Sequence, residues 1–202
     1  MNGNFGGISS SKYSFTFACM AKNKSTGVLG VLTTGHHGLS NGANIYYMGG
    51  SSAIGSVGYS FNSGNLDASF IIPSSGVTPT KNLMNGDHYF EASVTYLVEN
   101  ASVSMYGAAS GKTSGVIKLT KFTNGSWVDF ALCTYSAVDG DSGAPVVFSR
   151  LVETNPMIFL TYRYVLGLHS YSINNPSSPY HLCRGFSRID YISNTLNVNV
   201  NP

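Results

Sequence analysis

Gly140-Asp141-Ser142-Gly143-Ala144-Pro145 is the stretch on which the reading of this chain turns. A serine set between glycines, just before the apolar run Ala144–Phe148, reads as a turn leading into a strand, with its hydroxyl exposed. Gly140 and Gly143 allow backbone angles that aim neighbouring N–H groups at one point, the geometry that stabilises a developing oxyanion. Taken alone, a serine between glycines is an ordinary turn, because these residues dominate turns everywhere. The string becomes informative only if a base and a carboxylate accompany it.

Working outward, the apolar pattern has period two almost throughout. Tyr13, Phe15, Phe17 and Cys19 alternate with polar or small residues, as in a half-buried strand. Further runs lie at Gly27–Thr33, Ala68–Ile72, Val103–Tyr106, Val116–Lys121, Trp127–Cys133 and Ile158–Leu168, separated by Gly/Ser/Asn turn clusters such as Ser110–Gly115. Many short strands of this kind predict an all-β sandwich or barrel. Near the C-terminus, Ile189, Ile192 and Leu196 are spaced for one short amphipathic helix. Pro73–Gly86 lacks periodicity and is the best linker between two halves.

Composition narrows the function classes. The 202 residues suffice for one domain or two small lobes. Their 13 tyrosines and 11 phenylalanines can build a core. Only 10% of residues are charged and the net charge is +2, so no strong field exists to steer nucleic acid or an anionic membrane. No apolar run approaches the length that spans a bilayer. No basic, apolar leader opens the stretch, so a secretion signal is expected to have been removed or never present. Cys19, Cys133 and Cys183 show no CxxC spacing, which argues against a structural zinc site.

Two further segments supply the partners that Ser142 needs. Leu32-Thr33-Thr34-Gly35-His36-His37 follows an apolar strand, and Asp67-Ala68-Ser69-Phe70-Ile71 opens another. GDSGAP resembles the GDSGGP nucleophile loop of chymotrypsin-like serine peptidases, LTTGHH their LTAGHC histidine motif, and DASFI their aspartate segment. The order His36, Asp67, Ser142 is the order of that family. The resemblance implies two six-stranded antiparallel β-barrels with a short C-terminal helix. Residues 1–85 would carry His36 and Asp67, and residues 86–202 would carry Ser142.

The resemblance further implies a serine endopeptidase working without metal or organic cofactor, a monomer acting on protein or peptide substrates. Ser142 would be the nucleophile, His36 the base and Asp67 its orienting carboxylate, with the N–H groups of Gly140 and Ser142 as the oxyanion hole. Ser136 aligns with the floor of the S1 pocket and is not the aspartate of trypsin-like enzymes. Gly167-Leu168-His169-Ser170-Tyr171-Ser172 resembles the pocket wall of glutamate-specific bacterial and of viral peptidases. His169, Ser170 and Ser172 would therefore bind substrate, with Arg184 reaching the same region, for a Glu or Gln at P1. Alternatives are an aromatic or small apolar P1, and a catalytically idle binding module of the same fold.

By the same likeness, His37 stands where a cysteine is usual, so Cys19 should be a free buried thiol, while Cys133 and Cys183 would form a pocket-bridging disulfide. Gly6-Gly7-Ile8 is a weak echo of the start of zymogen-activated members, so pairing of a new N-terminus with Asp141 is not expected. Low charge and compact loops favour a secreted bacterial enzyme over a viral polyprotein peptidase acting inside an infected cell.

Overall fold

Short apolar strands with glycine-rich connections leave little choice but to pair with their neighbours, and they do so in two sheets. The computed structural model describes residues 14–47, 50–83, 86–89, 91–155 and 157–200, so Gly6–Ile8 and Tyr13 lie outside the described residues. The first sheet contains β1 (Met20–Asn23), β2 (Leu29–Thr33), β3 (Asn44–Tyr46), β4 (Ala53–Ser63) and β5 (Leu66–Pro73). The second contains β6 (Glu91–Ala92), β7 (Ser102–Gly107), β8 (Gly111–Asn124), β9 (Trp127–Cys133), β10 (Pro145–Asn155), β11 (Ile158–Ser172) and β12 (Arg184–Arg188). The helix α1 (Ile189–Thr195) and a final strand β13 (Val198–Asn199) follow.

The expectation of two six-stranded barrels is corrected by the pairing. The first sheet runs β13-β1-β2-β5-β4-β3, and among the described residues β13 and β3 are its unpaired edges. It is therefore an open six-stranded sheet, and its β13 edge comes from the far end of the chain. The second runs β10-β7-β8-β9-β12-β11-β6 and has seven strands, because two residues of β6 add in parallel beside β11. A long antiparallel β10–β11 hairpin, from Pro145↔Leu168 to Asn155↔Ile158, also links members of this second sheet.

Three packing units explain the arrangement. Phe15, Phe17, Val31, Ile45, Val57 and Ile71 fill the first sheet, and Met105, Ile117, Ala131, Val146, Leu166 and Phe186 fill the second. The third cluster joins them: Leu32, Phe70, Tyr106, Val165, Leu168 and the helix residues Ile189 and Ile192 pack together between the sheets. The spacing predicted for α1 is realised, with Ile189, Ile192 and Leu196 all buried. Each such side chain contributes roughly 1.5–3 kcal/mol on full burial, so this shared core fixes how the two sheets face one another.

Two local readings change. Residues 14–19 are not a half-buried strand: Phe15 to Cys19 are all buried, including Thr16. This segment bonds to both halves, since the Thr16 N–H donates to Ser142 O at 2.8 Å and the Ala18 N–H to Leu32 O at 2.8 Å. Most of Ser110–Gly115 belongs to strand β8 rather than to a turn, because the reversal is completed at Gly107–Gly111.

Candidate active site

The site grows from the end of β2. Where Thr33 leaves the sheet, Thr34, Gly35 and His36 wrap around the carboxylate of Asp67, the second residue of β5. Asp67 is fully buried. Its Oδ1 accepts the Gly35 N–H at 2.6 Å and the His36 N–H at 2.8 Å, and the Thr34 hydroxyl donates to Oδ1 at 2.9 Å and Oδ2 at 3.0 Å. Its Oδ2 lies 2.7 Å from His36 Nδ1. Burial alone would raise this carboxyl. Hydrogen bonding and charge from His36, with the Ser170 hydroxyl and the Gly35 N–H, outweigh burial and hold Asp67 below the ordinary carboxylate range.

On its other face the imidazole meets the second sheet. His36 Nε2 lies 3.1 Å from Ser142 Oγ, completing an Asp67–His36–Ser142 arrangement of the Ser-His-Asp kind. The loop presenting Ser142 is held from several sides. Asp141 is buried and accepts the N–H groups of Ala109 and Ser110, each at 3.0 Å, and of Val138 at 2.9 Å. These three backbone donors meet the carboxylate for which no pairing with a new N-terminus is expected from the sequence. Thr16 Oγ1 donates to Gly140 O at 2.9 Å while accepting the Ala108 N–H at 2.9 Å.

The two glycines of the loop are needed for different reasons. Gly140 has φ +98° and Gly143 φ +84°, both in the region that side chains avoid. Gly143 is also crowded: a Cβ there would run into Thr33 Oγ1, Thr16 O and Thr34 N, so the loop carrying Ser142 could not seat against the first sheet. Its own N–H donates to His169 O at 2.8 Å, and the His169 N–H donates to Ala144 O at 2.8 Å, which couples the loop to β11.

Beside Ser142 opens a cleft of about 380 Å³. His169, Ser170, Ser172 and Arg184 line it, together with Asp139 and Tyr171. Ser136 does not line it. That residue is exposed, and its carbonyl accepts the Thr113 hydroxyl at 2.6 Å. The inward-facing neighbour is Tyr135, whose hydroxyl lies 3.1 Å from His169 Nδ1. Burial lowers His169 from 6.5 to about 4, Asp141 opposing and Arg184 assisting, so the imidazole is neutral at pH 7. Burial likewise pushes the Tyr135 phenol well above its ordinary value, which keeps the hydroxyl protonated.

The disulfide expected between Cys133 and Cys183 is not formed; all three cysteines are free and buried. The reason is the pleat. Cys133 points into the core of the second sheet with Ile117 and Ala131, whereas Cys183 packs with Leu132 and Ile173 on the opposite side of β9. Cys19 is the free thiol expected of it, pushed by burial up to about 12.

Four supporting residues escaped the sequence reading: Thr16, Thr34, Tyr135 and Ser187. Thr34 lay inside the histidine motif. Tyr135 is adjacent to Ser136, and its large aromatic side chain shortly before Gly140–Pro145 was the available signal. The Ser187 hydroxyl accepts the Asp67 N–H at 3.2 Å and donates to Asn65 O at 3.2 Å.

No protein-family model and no curated protein matches the chain. Solved structures do. Thermobifida fusca protease A is similar at a TM-score of 0.71 and 21% identity, covering 99% of this chain and 97% of that one. Cellulomonas bogoriensis chymotrypsin is similar at 0.70 and 19%, covering 99% and 97%. A glutamic acid specific serine protease, described as using a histidine triad in substrate binding, is similar at 0.71 and 20%, covering 92% of each chain. The chain thus has the fold of the chymotrypsin-like serine proteases, with an Asp67–His36–Ser142 arrangement in its cleft.

Proposed function

We propose that this protein is a serine endopeptidase that cleaves after Glu or Gln and acts outside the cell. The observation that carries the reading is the continuous chain from Asp67 through His36 to Ser142, at 2.7 and 3.1 Å. In this reading Ser142 Oγ attacks the scissile carbonyl as His36 Nε2 takes its proton, and Asp67 stabilises the imidazolium. The proton then passes to the leaving amine, and water releases the acyl group from Ser142 with His36 again as base. Among the described residues, the N–H groups of Gly140 and Ser142 donate to no protein acceptor, which supports their assignment as the oxyanion hole.

For P1 specificity the support is His169. With Tyr135 on Nδ1, its Nε2 is the nitrogen available to a ligand in the cleft, and Ser172 and Arg184 stand on the same walls. A carboxylate or amide entering such a cleft recovers hydration only if donors meet it. Asp139 on the rim is exposed and weakens the field for a carboxylate without blocking the donors. The similarity to a glutamic acid specific protease points the same way.

Cleavage of a mixed peptide library by wild type, Ser142→Ala and His169→Ala tests both parts. Cuts after Glu or Gln that vanish with Ser142→Ala and lose their P1 preference with His169→Ala are expected. Ser142-dependent cuts after aromatic or small residues would keep the enzyme and remove the pocket assignment. Folded protein that shows no Ser142-dependent cleavage of any peptide would favour a binding module.

A further inference from the structure

We propose that Thr34 is a positioning residue of the catalytic chain, its hydroxyl bridging His36 Nδ1 and Asp67 so as to hold the imidazole in the productive tautomer. The inference rests on the peptidase reading above. Thr34 is buried, and its Oγ1 lies 2.6 Å from His36 Nδ1 while donating to both oxygens of Asp67 at 2.9 and 3.0 Å. Its neighbour Thr33 uses its hydroxyl quite differently, donating to Thr16 O at 2.7 Å to join two backbone segments.

Counting protons gives the argument. A threonine hydroxyl has one proton and two lone pairs, whereas an ionised carboxylate can only accept. Asp67 is held ionised, so the Thr34 proton goes to it, and the face of Oγ1 turned to His36 presents a lone pair. Two acceptors, Asp67 Oδ2 and Thr34 Oγ1, then converge on Nδ1. That nitrogen must carry its proton, and Nε2 is left unprotonated toward Ser142. The opposite tautomer would set a nitrogen lone pair against two oxygen lone pairs in a buried site. Asp67 alone would favour the same tautomer, and Thr34 is a second lock on it. Its branched Cβ restricts χ1, so the hydroxyl is already aimed when the proton moves.

Thr34→Val keeps the shape and removes the hydroxyl, and Thr34→Ser keeps the hydroxyl and loses the methyl. Both are made in the full chain. One readout is the rate and pH profile of Ser142 modification by diisopropyl fluorophosphate. The other is nitrogen NMR of labelled histidine, which reports the share of Nδ1-protonated His36 at neutral pH. Modification is expected to slow about 10- to 100-fold in Thr34→Val, as for loss of a hydrogen bond in a charged network, with a smaller Nδ1–H share. Thr34→Ser should stay within about threefold of wild type in rate. Thr34→Ala supplies the same comparison if the valine variant does not fold.

Equal rates and equal tautomer shares in wild type and Thr34→Val would overturn the proposal, as would Thr34→Ser behaving like Thr34→Val. If wild type itself is not modified, the peptidase reading fails, while the tautomer measurement still decides for or against Thr34.

Discussion

The two ends of the cleft are built on different principles. Around Asp67, backbone N–H groups, the Thr34 hydroxyl and His36 all converge on one buried carboxylate. Around His169, one tyrosine hydroxyl is the side-chain partner, and the walls also carry serines, Asp139, Tyr171 and an arginine whose Nη1 donates to Leu182 O at 2.8 Å. The first end is organised before any substrate arrives, as transition-state stabilisation requires. The second is a polar cleft whose side chains have fewer partners, and under the proposed function it would gain one only when substrate binds. Such a comparison predicts large effects of substitution on rate at one end and on selectivity at the other.

The largest effects belong to the organised end. Ser142→Ala should lower kcat on a cleavable peptide by roughly 10⁴–10⁶-fold while the thermal midpoint stays near that of wild type. Asp67→Asn should cost about 10⁴-fold in kcat, because an amide can donate to Nδ1 and favour the wrong tautomer. Equal losses in KM rather than kcat would break the distinction between the two ends.

At the pocket end, His169→Ala should reduce kcat/KM for a Glu peptide about 10- to 100-fold and leave a small-P1 peptide almost unchanged. Steady-state kinetics on matched peptides would show it. Tyr135→Phe should have a milder effect of the same kind, about two- to tenfold, because it removes only the hydroxyl that orients His169. Unequal effects of this order on the two peptides sharpen the comparison, and equal ones contradict it.

The two ends also differ in how they respond to acid. His169 binds a proton with a folded value of about 4, below the 6.5 expected of an unfolded histidine. The unfolded chain therefore takes up more protons between those values, and stability falls as pH drops from 6.5 toward 4. Asp67 is held low, so its contribution is present above the unfolded carboxylate range and is lost only as pH falls through its folded value. His37, which burial also lowers to about 4, adds to the histidine window. Denaturant melts across pH 4–7 should show a flatter stability curve for His169→Gln than for wild type, the residual slope coming from His37.

What the amino-acid sequence made legible follows the same division. Ser142, His36 and Asp67 could be read because each sits in a short stretch whose backbone demands, such as the glycines at 140 and 143, are themselves encoded locally. The pocket was only partly legible. His169, Ser170, Ser172 and Arg184 do line it, but Ser136 turns outward, because one step of alternation decides whether Tyr135 or Ser136 faces in. Strand β4 went unread although Val57, Tyr59 and Phe61 alternate with Gly58, Ser60 and Asn62, because the glycines and serines interspersed along it read as turn composition and its outer half is largely exposed. Thr16 was unreadable in a different way. Its burial comes from contacts with Gly140, Ala108 and Thr33, residues far away in the chain, and nothing local marks it. The disulfide failed for a related reason, since the face of β9 on which Cys183 lands is set by tertiary packing.

Cys133 and Cys183 offer one more contrast with the polar cleft. Burial raises both thiols, Cys133 the more strongly placed within its core. Intact mass after brief alkylation of the folded protein should show little modification at either, in keeping with thiols that pack rather than react.

The most direct test of the account is the reaction of folded wild-type protein with a fluorophosphonate at neutral pH, read by intact mass and peptide mapping beside His36→Ala. A single adduct on Ser142 in wild type, absent or much slower in His36→Ala, is the predicted result. No adduct, or an equal rate in both proteins, would contradict the claim that His36 and Asp67 activate Ser142.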